Sequence, residues 1–391
     1  MLRYLTAGES HGRALAVIIE GVPAGLALRE EEVQGELARR RLGYGRGPRM
    51  RFEQDELTFL GGVRHGRTLG SPIAIEIGNS EWVKDPDKWG TEMSARAEDG
   101  PTKAPLTQPR PGHADLAGMQ KYGFTDARDV LERASARETA ARVAAGAVAK
   151  ALVRAIGVEV ISHVIQLGAA GSTLGDRPVP ADLGAVDESP VRCFDVAAQA
   201  AMIDAIKAAA KEGDSLGGVA EVLAYGVPVG LGSHVHWDRK LDASLAQALM
   251  SIQAVKGVEI GDGFALASRV GSEAHDPISW DSTAATYRRR TTRAGGIEGG
   301  ISTGELLVAH VAMKPLATLN RPTMKTVDVV TKEETVSFKE RTDVTAVPAM
   351  GVVAESMVAL VLAGEALRKF GGDSIPELTR NHRTYLDSLH P

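Results

Sequence analysis

An α+β fold is what this sequence predicts: antiparallel sheets covered by helices, with an internal duplication about a pseudo-twofold axis. Three observations predict it. The turn Gly8, Glu9, Ser10, His11, Gly12 returns as Gly213, Asp214, Ser215, Leu216, Gly217, and GVPAGL at 21–26 returns as GVPVGL at 226–231, both at an offset of 205 residues. Gly61, Gly62, Gly66 and Gly70 match Gly295, Gly296, Gly300 and Gly304 at an offset of 234, and each set leads into a strand-like apolar segment. These glycine-marked strands come in neighbouring pairs rather than alternating with helices, which favours antiparallel sheets over a doubly wound parallel one. Two copies half a chain apart also differ from the short-period stacking of solenoids. The chain therefore reads as one domain, 1–391, made of two related halves at about 1–200 and 201–391, with no Ser/Gly- or Pro-rich linker between them.

In chain order, the apolar run at 14–19 reads as a strand. Residues 29–41 read as a helix, with acids near its start and arginines at its end to complement the dipole. Residues 60–77 form a glycine-punctuated strand pair. Ser135 with Glu138 fits a capping box ahead of an alanine-rich helix at 139–156. Helices at 196–211 and 241–252, a strand at 219–225, a second strand pair within 295–313 and a helix at 351–367 complete the series.

Composition limits the function classes. With 43% hydrophobic and 24% charged residues, the chain matches a soluble globular protein with an ample core. Glycine occupies 43 of 391 positions, above the usual ~7%, as expected where backbone must turn tightly or approach something closely. The lone Cys193 excludes an internal disulfide and a cysteine metal cluster, and no metal is expected. A net charge of −5 and 4% aromatic residues argue against a nucleic-acid binder. Residues 1–12 lack an apolar signal core, and no run is expected to approach the ~18 apolar residues of a membrane span, so a cytoplasmic location is expected. The common dinucleotide and P-loop fingerprints are absent.

Positive charge is local. Arg39, Arg40, Arg41, Arg46, Arg49 and Arg51 fall within 39–51, interleaved with glycines; Arg288, Arg289, Arg290 and Arg293 make a second patch, and Arg133, Arg137 and Arg142 a third. Guanidinium forks on glycine-rich loops suit a small polyanion, and a solvated basic face is the competing reading. Arg133 and Ser135 precede a helix start, where free N–H groups and the positive dipole end favour an anion. In Arg110, Pro111, Gly112, His113, Ala114, Asp115, a proline–glycine turn presents a histidine beside a carboxylate, and Arg341, Thr342, Asp343 lead into the last helix.

Together GESHG at Gly8, RRRLGYGRGPRM at Arg39, RPGHAD at Arg110, RASARET at Arg133, GDSLGG at Gly213, AGGIEGGISTGE at Ala294, MKPLAT at Met313 and RTD at Arg341 resemble the chorismate synthase family, in the family's order and over almost the whole chain. The resemblance implies a β-α-β sandwich, a homotetramer, and a lyase that converts 5-enolpyruvylshikimate 3-phosphate to chorismate and phosphate by 1,4-anti elimination with reduced FMN. By matching positions it implies Ser10, His11, Arg49, Arg137 and Arg341 at the substrate, with His11 as the acid for the departing phosphate. It implies His113 as the acid or hydrogen-bond donor to the reduced flavin, and Asp343 as the acceptor of the proton from flavin N5. A ring with an unperturbed pKa of about 6.5 suits such acid roles. Flavin contacts implied in the same way are Arg133, Ala134, Ser135, Gln253, Ala254, Gly299, Lys314, Pro315, Leu316, Ala317, Thr318 and Arg341. Arg40 and Arg46 match the family's NADPH positions and serve the substrate equally well on chemical grounds. A separate flavin reductase is a possible partner, and an FMN-dependent oxidoreductase acting on a small polyanion is the alternative reading. Departures from the family pattern are Thr342, Ala349 and Gln253, none of them on the implied proton path.

Overall fold

A computed structural model describes residues 2–47, 55–173, 175–283, 285–338 and 342–389. Two antiparallel sheets enclose a layer of helices. The first sheet is built from β1 (Arg3–Ala7), β2 (Ala14–Glu20), β3 (Leu57–Gly61) and β4 (Ile73–Gly78), in the order β1-β2-β4-β3. The second is built from β5 (Glu159–Leu167), β6 (Gly218–Tyr225), β7 (Val255–Ile260) and β8 (Leu307–Met313), in the order β5-β6-β8-β7, with Ala170–Gly171 as a short strand beyond β5. Between them lie α1 (Glu30–Arg41), α2 (Thr139–Arg154), α3 (Leu241–Met250) and α4 (Val347–Phe370).

The registers of the two sheets correspond. Ala14 faces Gly78 across β2 and β4, and Val219 faces Ala312 across β6 and β8, positions related by the offsets of 205 and 234. The small hairpins ahead of β4 and β8 obey the same relation: Val63 pairs with Thr68, and Ile297 with Ser302. Gly62 (φ +87°) and Gly296 (φ +75°) show why glycine recurs there, since a Cβ on either would stand 2.5 Å from a backbone oxygen, of Pro72 and Leu306 respectively. The second sheet begins at β5, before residue 200.

α2 is buried along nearly its whole length and packs on β2; α4, buried over most of its length, packs on β5 and β6. Small side chains let the two helices approach closely, with Gly146 against Ser356 at their crossing. One continuous core runs from Leu15, Ile75 and Ile77 through both helices to Val222 and Val311. α4 corrects the expectation about apolar runs: its 24 residues, with a mean hydropathy of 1.8 over the most apolar window, are long and apolar enough to cross a membrane by length and composition. Its burial between the sheets explains the composition, because a helix covered on all sides has no polar face.

Three other expectations change. The capping box does not form: Ser135 accepts a bond from the Arg137 N–H, but a 3-10 turn at Ala136–Glu138 intervenes before α2, and the Glu138 carboxylate turns to Thr6, Arg142 and Gln253 instead. The helices Asp115–Tyr122 and Arg128–Ala134, which shape the site, lack a long apolar period and escape the sequence reading. Helix boundaries shift by a few residues, as at 347–370 against the expected 351–367, because the last turns pack on the core rather than obeying a local stop signal.

Candidate functional site

The turn between β1 and β2 is drawn tight by Asn79, whose amide donates to Glu9 O (3.2 Å) and Gly12 O (2.6 Å). Gly8, at φ +102°, leaves no room for a side chain against Ala14 O. The turn docks on the end of helix Arg128–Ala134: Ser10 N–H donates to Glu132 O (3.0 Å), and the Ser10 and Ser135 hydroxyls lie 3.2 Å apart. His11 is fixed from several sides. Its backbone N–H donates to Glu132 Oε2 (2.9 Å), its Nδ1 lies 2.9 Å from Glu132 Oε1, and its Nε2 lies 3.2 Å from Glu81 Oε2. The ring stacks on Trp89 with centroids 4.2 Å apart.

Beside this turn, Arg137 commits every guanidinium nitrogen to a protein acceptor: Nε to Asn79 Oδ1 (2.7 Å), Nη1 to Asp55, and Nη2 to Gly78 O (2.9 Å). Arg40 and Arg41 approach the same Asp55 at 3.8 and 3.9 Å. Burial pushes the Asp55 carboxyl up, but Arg40 and Arg137 outweigh it, and the group sits below its ordinary range. Three guanidiniums around one carboxylate leave excess positive charge, the condition an anionic ligand needs.

A second cluster comes from later segments. Asp343 takes an ion pair from Arg46 (3.0 Å) and the Gly47 N–H (2.6 Å), while Val344 N–H donates to Gly45 O (2.8 Å). Leu216 N–H donates to Val344 O (2.8 Å), and the Ser215 hydroxyl donates to Leu316 O (2.8 Å), so the turn that echoes GESHG braces the 314–318 run. His113 Nδ1 bonds to Asp115, which Arg110 also holds through its Nε (2.8 Å); Arg110 Nη1 reaches Thr318 Oγ1 (3.0 Å). Lys314 donates to Gly112 O, and both burial and nearby Lys256 push its ammonium pKa down. Its backbone N–H donates to Ala254 O (3.0 Å), and Ala254 itself adopts φ +65°, a conformation that side chains other than glycine's rarely take.

Arg133 donates to Thr6 O and Gly8 O, which places it and Ala134 beside the first turn, and Gln253 reaches the same corner through Glu138 (3.1 Å). Pro315 and Ala317 lie on the run that Ser215 and Arg110 hold. Gly299 is set apart: its hairpin docks at the N-terminal end of α3, where Leu241 N–H meets Gly300 O (2.9 Å), whereas Gln253 and Ala254 follow the C-terminal end, about 15 Å of helix away. Arg49 and Arg341 lie outside the described residues. The arginine-rich segments are not simply basic loops open to a polyanion. Arg39 is locked against Asp187, Glu36 and Glu355, Arg142 against Glu138, and Arg289 against Glu298.

Sequence reasoning missed Glu132, Glu81, Trp89, Asp55 and Asn79. Only Glu132, adjacent to the Arg133 motif, carried a local signal; the others acquire meaning from contacts made by distant segments.

The chorismate synthase family model matches residues 2–367. The chain is 61% identical to the chorismate synthase of Salinispora tropica over 396 aligned positions, covering 100% of this chain and 99% of the relative. It is 60% identical to that of Streptomyces avermitilis, covering 99% and 98%. A crystal structure of chorismate synthase superposes with a TM-score of 0.79 at 40% identity, over 100% of this chain and 98% of that one.

Proposed function

The chain belongs to the chorismate synthase family, and from that premise we propose which of its residues carry the reaction. The protein is a lyase of the shikimate pathway that converts 5-enolpyruvylshikimate 3-phosphate to chorismate and phosphate by 1,4-anti elimination. The observation that supports the assignment of roles is that each of the two histidines is held by a buried carboxylate, His11 by Glu132 and His113 by Asp115, and that arginines gather at Asp55 and Asp343.

In this reading Ser10, Arg49, Arg137 and Arg341 bind the substrate anions, and His11 gives its Nε2 proton to the phosphate oxygen. Asp343, held by Arg46 and the Gly47 N–H, takes up the proton that elimination releases. His113, oriented by Asp115, would hold a ring proton toward the reduced cofactor when that is bound. Arg40 and Arg46 are both engaged inside this cluster, which favours service to the substrate over service to a dissociable nucleotide such as NADPH.

The residues present fit FMN. Arg133 and the Ser135 hydroxyl offer donors for a phosphate, and the Lys314 ammonium and the Ala317 methyl both border Gly112, a combination suited to an anionic ring with apolar faces. Gln253, Ala254, Pro315 and Thr318 would complete the cradle. Bound reduced, the flavin would supply an electron-rich ring that eases phosphate departure without net redox change.

We also propose that the two sheets are a duplicated unit, which the shared strand order and the two matching registers support. A cytoplasmic homotetramer is the expected form, and the exposed Leu5, Ile18 and Leu60 on the open face of the first sheet suit self-association. The test of the chemistry is anaerobic phosphate release with photoreduced FMN and no NADPH. Chorismate and phosphate should form in equal amounts; failure with fully reduced flavin and intact protein would overturn the reading.

A further inference from the structure

A carboxylate that the reaction has not yet used lies behind His11. Glu132 is nearly inaccessible, with its side chain 3% exposed, and it grips His11 twice, through the backbone N–H and through Nδ1. On the other side of the ring, Glu81, 8% exposed at its side chain, faces Nε2 at 3.2 Å. A carboxylate facing each ring nitrogen favours the form in which both nitrogens carry hydrogen. We propose that Glu132 is a positioning residue for the elimination: with Glu81 it keeps the His11 ring doubly protonated, so that a proton stands ready on Nε2 for the departing phosphate oxygen.

Among the described residues, the other groups around the ring do not reverse this. Trp89 covers one face and brings Lys103 Nζ to 3.8 Å and Lys88 Nζ to 5.1 Å from its own centroid, on the indole rather than on the imidazole. Arg128 stands 3.5 Å from Glu132 Oε1 and is shared with Glu92 at 3.2 Å, so it does not claim the carboxylate alone. Glu9, on the same turn, adds a further negative charge. Although burial raises the Glu132 carboxyl, its bonds to His11 more than offset this, and the group lies below its ordinary range. Glu132 therefore faces the ring as an anion before the step. The C3–O bond breaks with its electron pair going to phosphate oxygen, and the C6–H bond breaks with its pair forming the new ring double bond while that proton passes to Asp343. The existing double bond shifts toward C3, phosphate takes the Nε2 proton, and the imidazole is left neutral until solvent reprotonates it. The anionic Glu81 oxygen facing Nε2 resembles the phosphate oxygen in both charge and hydrogen-bonding character.

This inference rests on His11 being the acid, and the experiment separates the two. Full-length protein labelled with 15N-histidine is titrated without substrate, and the His11 ring signals are identified by their loss in His11→Ala. In Glu132→Gln the midpoint should fall by about one pH unit or more, the usual effect of removing an opposite charge in contact. Glu81→Gln should move it the same way by less, and provides the reading if Glu132→Gln folds poorly. An unmoved midpoint in a folded variant overturns the proposal whatever the rate does. For turnover, Glu132→Gln should lose about 10- to 100-fold at pH 8 and recover most of it near pH 6, with KM little changed. A loss equal at all pH values would make Glu132 merely structural and overturn the proposal. A lowered midpoint with an unaltered rate would instead remove His11 from the acid role while leaving its charge assignment standing.

Discussion

At the scale of single residues, orientation comes before acidity. Asp115 is buried, which raises its carboxyl, yet the bonds from His113 and Arg110 carry it well below the ordinary range, so it remains an anion able to aim the imidazole. His11→Ala and His113→Ala should each lower turnover by about 10²- to 10⁴-fold, the range for loss of a general acid or base, measured as phosphate release under reducing conditions. Wild-type rates in both would remove these rings from the chemistry. Asp343→Asn keeps the shape that Arg46 and Gly47 hold but cannot take up a proton; flavin titration should remain near wild type while turnover is lost. If binding collapses and turnover per bound flavin survives, Asp343 is a scaffold for the arginine loop. His11 and His113 stood out in the sequence because each sits in a glycine- or proline-framed turn, while the roles assigned to them and to Asp343 follow from the family resemblance. Glu132, Glu81 and Trp89 were not, since nothing in the chain near residue 81 or 89 points to residue 11. Arg39 misled for the converse reason: cations and glycines follow it in sequence, and apart from Glu36 on its own helix the carboxylates that hold it come from the distant residues 187 and 355.

At the scale of elements, the helix crossing and the sheet rows carry separable consequences. Glycine in a helix interior ordinarily costs about 0.5–1 kcal/mol relative to alanine. At Gly146 the sign should reverse, because an added Cβ would lie 2.2 Å from the Ser356 Cβ and drive α2 away from α4. Gly146→Ala should destabilise by about 1–3 kcal/mol, the range for overpacking, read from urea unfolding; a gain in stability would show that the helices separate freely. In the second sheet, Glu221 on β6 lies between His163 on β5 (3.0 Å) and His310 on β8 (2.9 Å), with Arg177 at 2.9 Å. Burial raises its carboxyl, but these partners bring it well below the usual value. A lowered folded value means that the stabilisation is complete above the unfolded carboxyl pKa of about 4.3 and drains away as pH falls below it. Glu221→Gln should therefore flatten the fall in urea midpoint between about pH 5 and 3, and an unchanged slope would place the acid sensitivity elsewhere. The strands and long helices were readable from periodicity and glycine spacing. The capping box failed because Glu138 finds stronger partners in Arg142, Thr6 and Gln253 than the N–H groups at its own helix start.

At the scale of the whole molecule, the offsets of 205 and 234 relate the pairing across β2–β4 to that across β6–β8, Ala14 with Gly78 mapping onto Val219 with Ala312. They say nothing of how the sheets meet, because that depends on the buried helix layer. There the decisive group is Glu355 of α4, fully buried. Burial raises its carboxyl strongly, and Arg39, Lys150 and Arg192 together hold it well below the ordinary range. Arg39 and Lys150 belong to α1 and α2, which precede the second sheet, so unfolding the first sheet with its helices would strip Glu355 of two of its three cations. Removing partners from a buried charge costs about 3–5 kcal/mol, comparable with the stability of a whole domain, and the continuous apolar core would be opened as well. Neither half should therefore persist alone. The four tryptophans divide two and two, Trp82 and Trp89 in the first part, Trp237 and Trp280 in the second, so variants retaining one pair each report on one part. Their urea transitions should coincide with each other and with circular dichroism at every protein concentration tested, whereas two resolved midpoints would show that the sheets fold independently and that Glu355 does not bind them into one unit.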